Sequence, residues 1–135
     1  MAILFNQSAL TDFSKALMTA LSPITTISGI KIYDHVPQNQ ETYPYMVVGD
    51  MTETPWGDKT KPGSTITVNI NLYFQDKSSL HTKTMINLIV ETLDNGFEIE
   101  NWNMIYHDLG DNMVSEMGNS VYLGVVSFNF FLESI

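Results

Sequence analysis

Ser64-Thr65-Ile66-Thr67-Val68-Asn69-Ile70-Asn71-Leu72-Tyr73-Phe74-Gln75 is the stretch from which the fold is read. Ile66, Val68, Ile70, Leu72 and Phe74 fall on every second position, and polar residues or Tyr73 fill the alternate set. Period 2 is the pattern of a strand with one face buried and one face wet. These 12 residues would span about 40 Å at ~3.3 Å each, longer than most strands. Upstream, Tyr45 to Thr54 reads as a second strand. The intervening loop carries Pro55, Gly57, Pro62 and Gly63, so the pair reads as a long hairpin with a projecting tip. A projecting arm costs ordering entropy unless something receives it. Glu53, Thr54, Pro55, Trp56, Gly57, Asp58, Lys59, Thr60, Lys61, Pro62 and Gly63 are therefore the candidate subunit-interface loop.

Around this hairpin the chain alternates helix and strand signals. Gln7 to Leu21 is expected to be helical, because Leu10, Phe13, Leu17 and Leu21 recur at spacings of three and four. Asn6 or Ser8 is the expected N-cap, and Ser22-Pro23 the expected stop. Ile30 to Val36 reads as a short strand closed by Pro37. Leu80 to Leu93 reads as a second helix, capped by Ser78 or Ser79 and ended by Asn95 or Gly96 in the left-handed conformation. Phe97 to Leu109 reads as strand, Gly110 to Asn119 as a loop or turn, and Val121 to Leu132 as a last strand covered on both faces. The expected fold is α+β over a single domain, 1–135: two helices on one face of a mostly antiparallel sheet.

Composition restricts the chemistry. The chain has 15 acids against six lysines, no arginine and no cysteine. Residues 1–83 hold seven acids and all six lysines, a net of −1; residues 84–135 hold eight acids and no base, a net of −8. Gripping nucleic acid needs a basic face, and phosphate recognition favours the guanidinium fork; neither is present. Without cysteine there is no disulfide frame, thiol nucleophile or thiolate metal site. Met1 to Leu10 lacks the basic and long apolar segments of a secretory signal, and no apolar run approaches ~20 residues, so no membrane contact is expected.

Motif reading finds no Gly-rich phosphate loop and no nucleophile elbow. His35 follows Asp34 and His107 precedes Asp108, but strand neighbours point to opposite faces and make poor paired ligands. His81 reads as a solvated residue at a helix start. Glu98 and Glu100 share a strand face, which is more often merely wet than catalytic. The expectation is a protein that is not an enzyme, with no catalytic residues, metal or cofactor. Its tyrosines and tryptophans then serve core and interface packing. Trp56, in a polar loop, either tucks back onto the sheet or inserts into a neighbour.

Ile32-Tyr33-Asp34-His35-Val36-Pro37, Tyr43-Pro44-Tyr45, Val47-Val48-Gly49-Asp50 and Trp56-Gly57-Asp58-Lys59, followed by the alternating strand and a helix, resemble the tail-completion family of tailed bacteriophages. This is the tail terminator, or tail-to-head joining, group of siphophage-type virions. The resemblance follows element order over residues 8–132. It implies a structural virion protein: a ring of six copies of the chain, assembled in the host cytoplasm, at the head-proximal end of the tail. Its partners would be the tail tube protein and the head or neck connector, with DNA passing through the lumen without specific binding. Relatives in this group often carry arginines late in the sequence; this chain has none. Glu98, Glu100, Asp108, Asp111 and Glu116 are the candidate lumen acids, since negative charge repels phosphate. The alternative is a small acidic α+β binding or adaptor domain with no viral role.

Overall fold

The computed structural model describes residues 8–34, 43–57 and 60–135. The expected cap Asn6, the helix start at Gln7, His35 to Thr42, and the tip residues Asp58 and Lys59 lie outside them. The element order is α1 (Leu10–Ser28), β1 (Lys31–Tyr33), β2 (Tyr45–Gly57), β3 (Pro62–Gln75), α2 (Leu80–Asp94), β4 (Trp102–Gly118) and β5 (Val121–Ser134). The strands form one sheet in the order β1-β2-β3-β5-β4. β1 pairs parallel to β2, and every other pairing is antiparallel. This is the expected α+β fold with a mostly antiparallel sheet.

The alternating stretch sits at the centre of that sheet. Ile66, Val68, Ile70 and Leu72 are fully buried and Phe74 nearly so, whereas Thr67 and Gln75 are exposed. Both helices lie on the Ile66–Phe74 side. Phe13, Leu17, Leu21 and Ile24 of α1, and Ile86, Ile89 and Leu93 of α2, join that row in one core with Met46, Val126, Phe128, Phe130 and Leu132. Phe13 meets Phe130 at 5.0 Å between ring centroids, which ties α1 to β5. β5 follows the same rule as β3: Val126, Phe128, Phe130 and Leu132 are buried and their alternates half-buried. Expected to be covered on both sides by helices or by another subunit, it has helices on one face.

Where α2 meets the sheet the contact is close. A Cβ on Gly124 would stand 2.7 Å from Cγ2 of Thr82 and 3.3 Å from Cδ1 of Ile86. Glycine is what lets the helix sit at that height. Ser79 stands at the N-cap of α2 as expected but makes no side-chain cap bond, and Leu80 N–H donates to Ser78 Oγ at 3.3 Å. Asn95 stays right-handed while Gly96 takes φ 73°.

Two boundaries move. α1 runs through Pro23 to Ser28 and stops at Gly29, which has φ 75° and donates to the Thr25 carbonyl. An interior proline costs about 3 kcal/mol. Continuing buries Ile24 to 1% exposure, worth about 1.5–3 kcal/mol, and gains the glycine cap, so the helix tolerates the loss of one amide. β4 starts at Trp102 rather than Phe97 and runs on to Gly118, through the segment expected to be a loop. It keeps pairing with β5 by absorbing register shifts at Met104/Tyr106, Leu109/Asn112 and Glu116/Gly118. The turn is reduced to Asn119 and Ser120, both with positive φ (53° and 61°), the geometry of a two-residue type I′ hairpin.

Candidate functional site

The hairpin tip is more ordered than its composition indicates. Glu53, Thr54, Pro55, Trp56 and Gly57 are strand residues, pairing one to one with Ile66, Thr65, Ser64, Gly63 and Pro62. The stretch read as an eleven-residue loop is thereby strand at Glu53 to Gly57 and at Pro62 and Gly63, the last described pair being Gly57↔Pro62. Thr60 and Lys61 are exposed there, and Lys61 Nζ lies 4.0 Å from the Glu133 carboxylate. Proline signalled a loop at position 55, but β1 pairs with β2 only from Tyr45 to Val47, so among the described residues that side of the backbone at Pro55 has no ladder partner and proline is tolerated.

Glu53 makes contacts within its own chain. Its side chain is on the helix face, where its carboxylate accepts from Ser8 Oγ at 2.9 Å, Ala9 N–H at 2.8 Å and Ser64 Oγ at 2.6 Å. Ala9 is the residue preceding α1 and has no side-chain oxygen to cap it. Glu53 supplies both an acceptor and a negative charge at that helix N-terminus. The long hairpin thus pins the first helix, across 44 residues of sequence.

Trp56 tucks back onto its own sheet. A Cβ on Gly63 would fall 2.4 Å from the indole carbons, so the ring lies directly over that glycine. Its Nε1–H is buried without a partner among the described residues. Gly57 is needed in turn: φ is 84°, and a Cβ there would meet the Lys61 carbonyl oxygen at 2.4 Å.

The five candidate lumen acids do not form a cluster. Glu98 and Glu100 are exposed in the connection before β4, Asp111 sits in the β4 irregularity after Leu109, and Glu116 is exposed near the far end of the strand. From Trp102 to Glu116 the strand extends about 45 Å at ~3.3 Å per residue. Asp108 is the half-buried member, on the sheet face away from the helices. It accepts from Asn129 Nδ2 at 2.9 Å, and Asn129 Oδ1 accepts from Thr67 Oγ1 at 2.7 Å. With Ser127 Oγ donating to Asn69 Oδ1 at 2.7 Å, that face is a lattice of hydroxyl and amide groups. At its β1–β2 end, Tyr45 stacks between Tyr43 and Tyr73 at 5.6 and 4.9 Å.

Among the described residues, no group of three or more histidine, aspartate or glutamate side chains is placed to hold a metal ion. His107 Nε2 lies 2.9 Å from the Asp94 carbonyl, and His81 contacts Asp76. The Lys77 N–H, donating at 2.7 Å, with help from His81, holds the Asp76 carboxyl below the usual aspartate range. No helix of the described residues is long and apolar enough to cross a membrane.

Sequence reading missed the outer edge of β4. Ile105, Tyr106, Leu109, Met113 and Met117 all lie on this strand and are 43% to 59% exposed. Alternation is broken by the three register shifts, so periodicity concealed both the strand and its apolar residues. A groove occurs at the other side of the molecule, between α1 and β2, lined by Leu10, Met18, Val48 and Met51 with Lys15 and Asp34.

Comparison with known proteins agrees with this architecture. Residues 15–132 match the family described as tail completion protein gp17. Among solved structures, a chain in the virion of the native gene transfer agent (GTA) particle superposes with a TM-score of 0.82 at 14% identity, covering 94% of this chain and 98% of that one. At that identity the likeness shows a shared fold. A search of curated proteins finds no match.

Proposed function

Since the chain belongs to the tail completion protein gp17 family and is thereby a structural component of a phage-type tail, we propose that it is a tail terminator. In this reading six copies close a ring on the head-proximal end of the tail tube, join it to the neck connector, and leave a lumen for DNA. The family match across residues 15–132 carries the reading, and favours it over an adaptor domain with no viral role.

The physical features fit such a part. The role is one of shape and contact and requires no catalysis. A ring needs subunit surfaces at two different places on the chain, and β4 and the α1–β2 groove are toward opposite edges of the sheet. Net charge of −8 over residues 84–135 disfavours adhesion of a phosphate backbone. Head, neck and tail would meet in the host cytoplasm, where the ring closes on a finished tube. Removing the chain from the assembling particle is the test. Filled heads and unjoined tails, with tail lengths no longer uniform, are expected by electron microscopy. Joined particles with tails of normal length would refute the role.

A further inference from the structure

We propose that the outer edge of β4 is a subunit interface whose counterpart is the α1–β2 groove of the next copy of this chain; the proposal rests on the ring reading above and specifies which surfaces close it. Three observations lead there. First, β4 is a 17-residue strand at the edge of the sheet among the described residues, and Ile105, Tyr106, Leu109, Met113 and Met117 along it are exposed. Long edges with exposed apolar side chains invite pairing or docking.

Second, charge argues against β4 meeting another β4. Asp108, Asp111 and Glu116 lie along it, and residues 84–135 contain no lysine or arginine, His107 being turned to the Asp94 carbonyl. Two such edges brought together about a twofold axis would set acid against acid, which is destabilising across strands. All six lysines lie at or before position 83, so a cation opposite the β4 acids must come from another part of the next subunit.

Third, the groove offers complementary chemistry. Its apolar lining of Leu10, Met18, Val48 and Met51 matches the methionine and leucine side chains of β4, and of the two charged residues that line it, Lys15 and Asp34, Lys15 is the cation a β4 acid would meet. Strand addition onto β2 itself is hindered by Pro55 and by the irregularity between Val48 and Met51. The contact is therefore side chain into groove rather than an extended sheet. Donor and acceptor surfaces sit toward opposite edges, so each copy uses both, the head-to-tail arrangement from which a ring closes when the rotation per subunit allows it.

Bis-maleimide cross-linking in assembled particles tests this, helped by the absence of native cysteine. Met113→Cys on β4 and Thr19→Cys on the groove both replace side chains that are exposed. Particles carrying both substitutions on one chain are expected to yield a ladder of covalent oligomers, and particles with either substitution alone only monomers. A link within one chain runs as a monomer and cannot mimic the ladder. Dimers from Met113→Cys alone would mean that β4 meets β4, and would overturn the proposal. An amine-reactive linker separates the two levels of argument. If it yields oligomers of the wild-type chain while the double-cysteine chain stays monomeric, the ring stands and the assigned surfaces are wrong. If it yields monomers only, the ring reading fails and this interface with it.

Discussion

Glu53→Ala tests how the hairpin holds the first helix. The substitution removes one carboxylate that accepts from Ser8 Oγ, Ala9 N–H and Ser64 Oγ. Ser8 is exposed, so water replaces its partner. Ala9 and Ser64 are both at 0% exposure, and an orphaned buried donor costs about 1–3 kcal/mol. Loss of a negative charge at the α1 N-terminus adds about 0.3–1 kcal/mol. Some relaxation lowers the sum, leaving an expected loss of about 2–4 kcal/mol from a total stability on the order of 5–15 kcal/mol. Unfolding entropy near 2.1 cal/mol/K per residue gives about 0.28 kcal/mol/K for this chain, so a 3 kcal/mol loss corresponds to a Tm drop of about 10 °C. Glu53→Gln, which keeps an acceptor oxygen, should lose only about 1 kcal/mol. The assay is urea unfolding followed by circular dichroism, with Ser64→Ala completing a double-mutant cycle. Removing the Ser64 hydroxyl should hurt less once Glu53 is gone, giving a coupling of about 1–2 kcal/mol. Additivity within about 0.5 kcal/mol would show that the carboxylate and the buried hydroxyl do not act together.

Gly124→Val should destabilise by about 1–3 kcal/mol or more through overpacking against Thr82 and Ile86, read from the shift in urea midpoint; an unchanged midpoint would mean that α2 does not approach β5 this closely. Ile70→Asp puts an unpaired charge at a fully buried position, costing several kcal/mol, and should leave no cooperative melting transition in soluble protein; a soluble, cooperatively melting variant would reverse the assignment of the β3 faces. Because the Asp76 carboxyl is held below its ordinary range when folded, wild-type should exceed Asp76→Asn in stability above that range, and the gap should close as pH falls through the lowered value. A gap that stays constant from neutral to strongly acidic pH would contradict the Lys77 and His81 contacts.

The sequence made β3 and both helices legible because their apolar residues follow an unbroken period. The alternation of Ile66 to Phe74 and the stripe of Phe13, Leu17 and Leu21 describe burial directly. What stayed hidden is governed by tertiary pairing. Gly110 to Asn119 looks like a loop by composition, yet β5 presents a complete strand to pair with, and irregularities absorb the mismatch. Pro23 and Pro55 are breakers by local rule, overridden by the burial of Ile24 and, among the described residues, by the lack of a second ladder partner at Pro55. Glu53 carried no signal of its capping role, because Ser8, Ala9 and Ser64 meet it only after the hairpin and α1 come together. Trp56 left two outcomes open, and within this chain Gly63, small enough to lie beneath an indole, accommodates the tucked one.

As a tail terminator, this structural tail protein would end the tail. Electron cryomicroscopy of intact particles, with a small tag fused at the exposed C-terminal Ile135, tests it most directly. One ring of tagged α+β subunits is expected between the last tube layer and the neck, with β4 facing the neighbouring subunit. Tag density along the tube, at the distal tip or nowhere on the particle would contradict it.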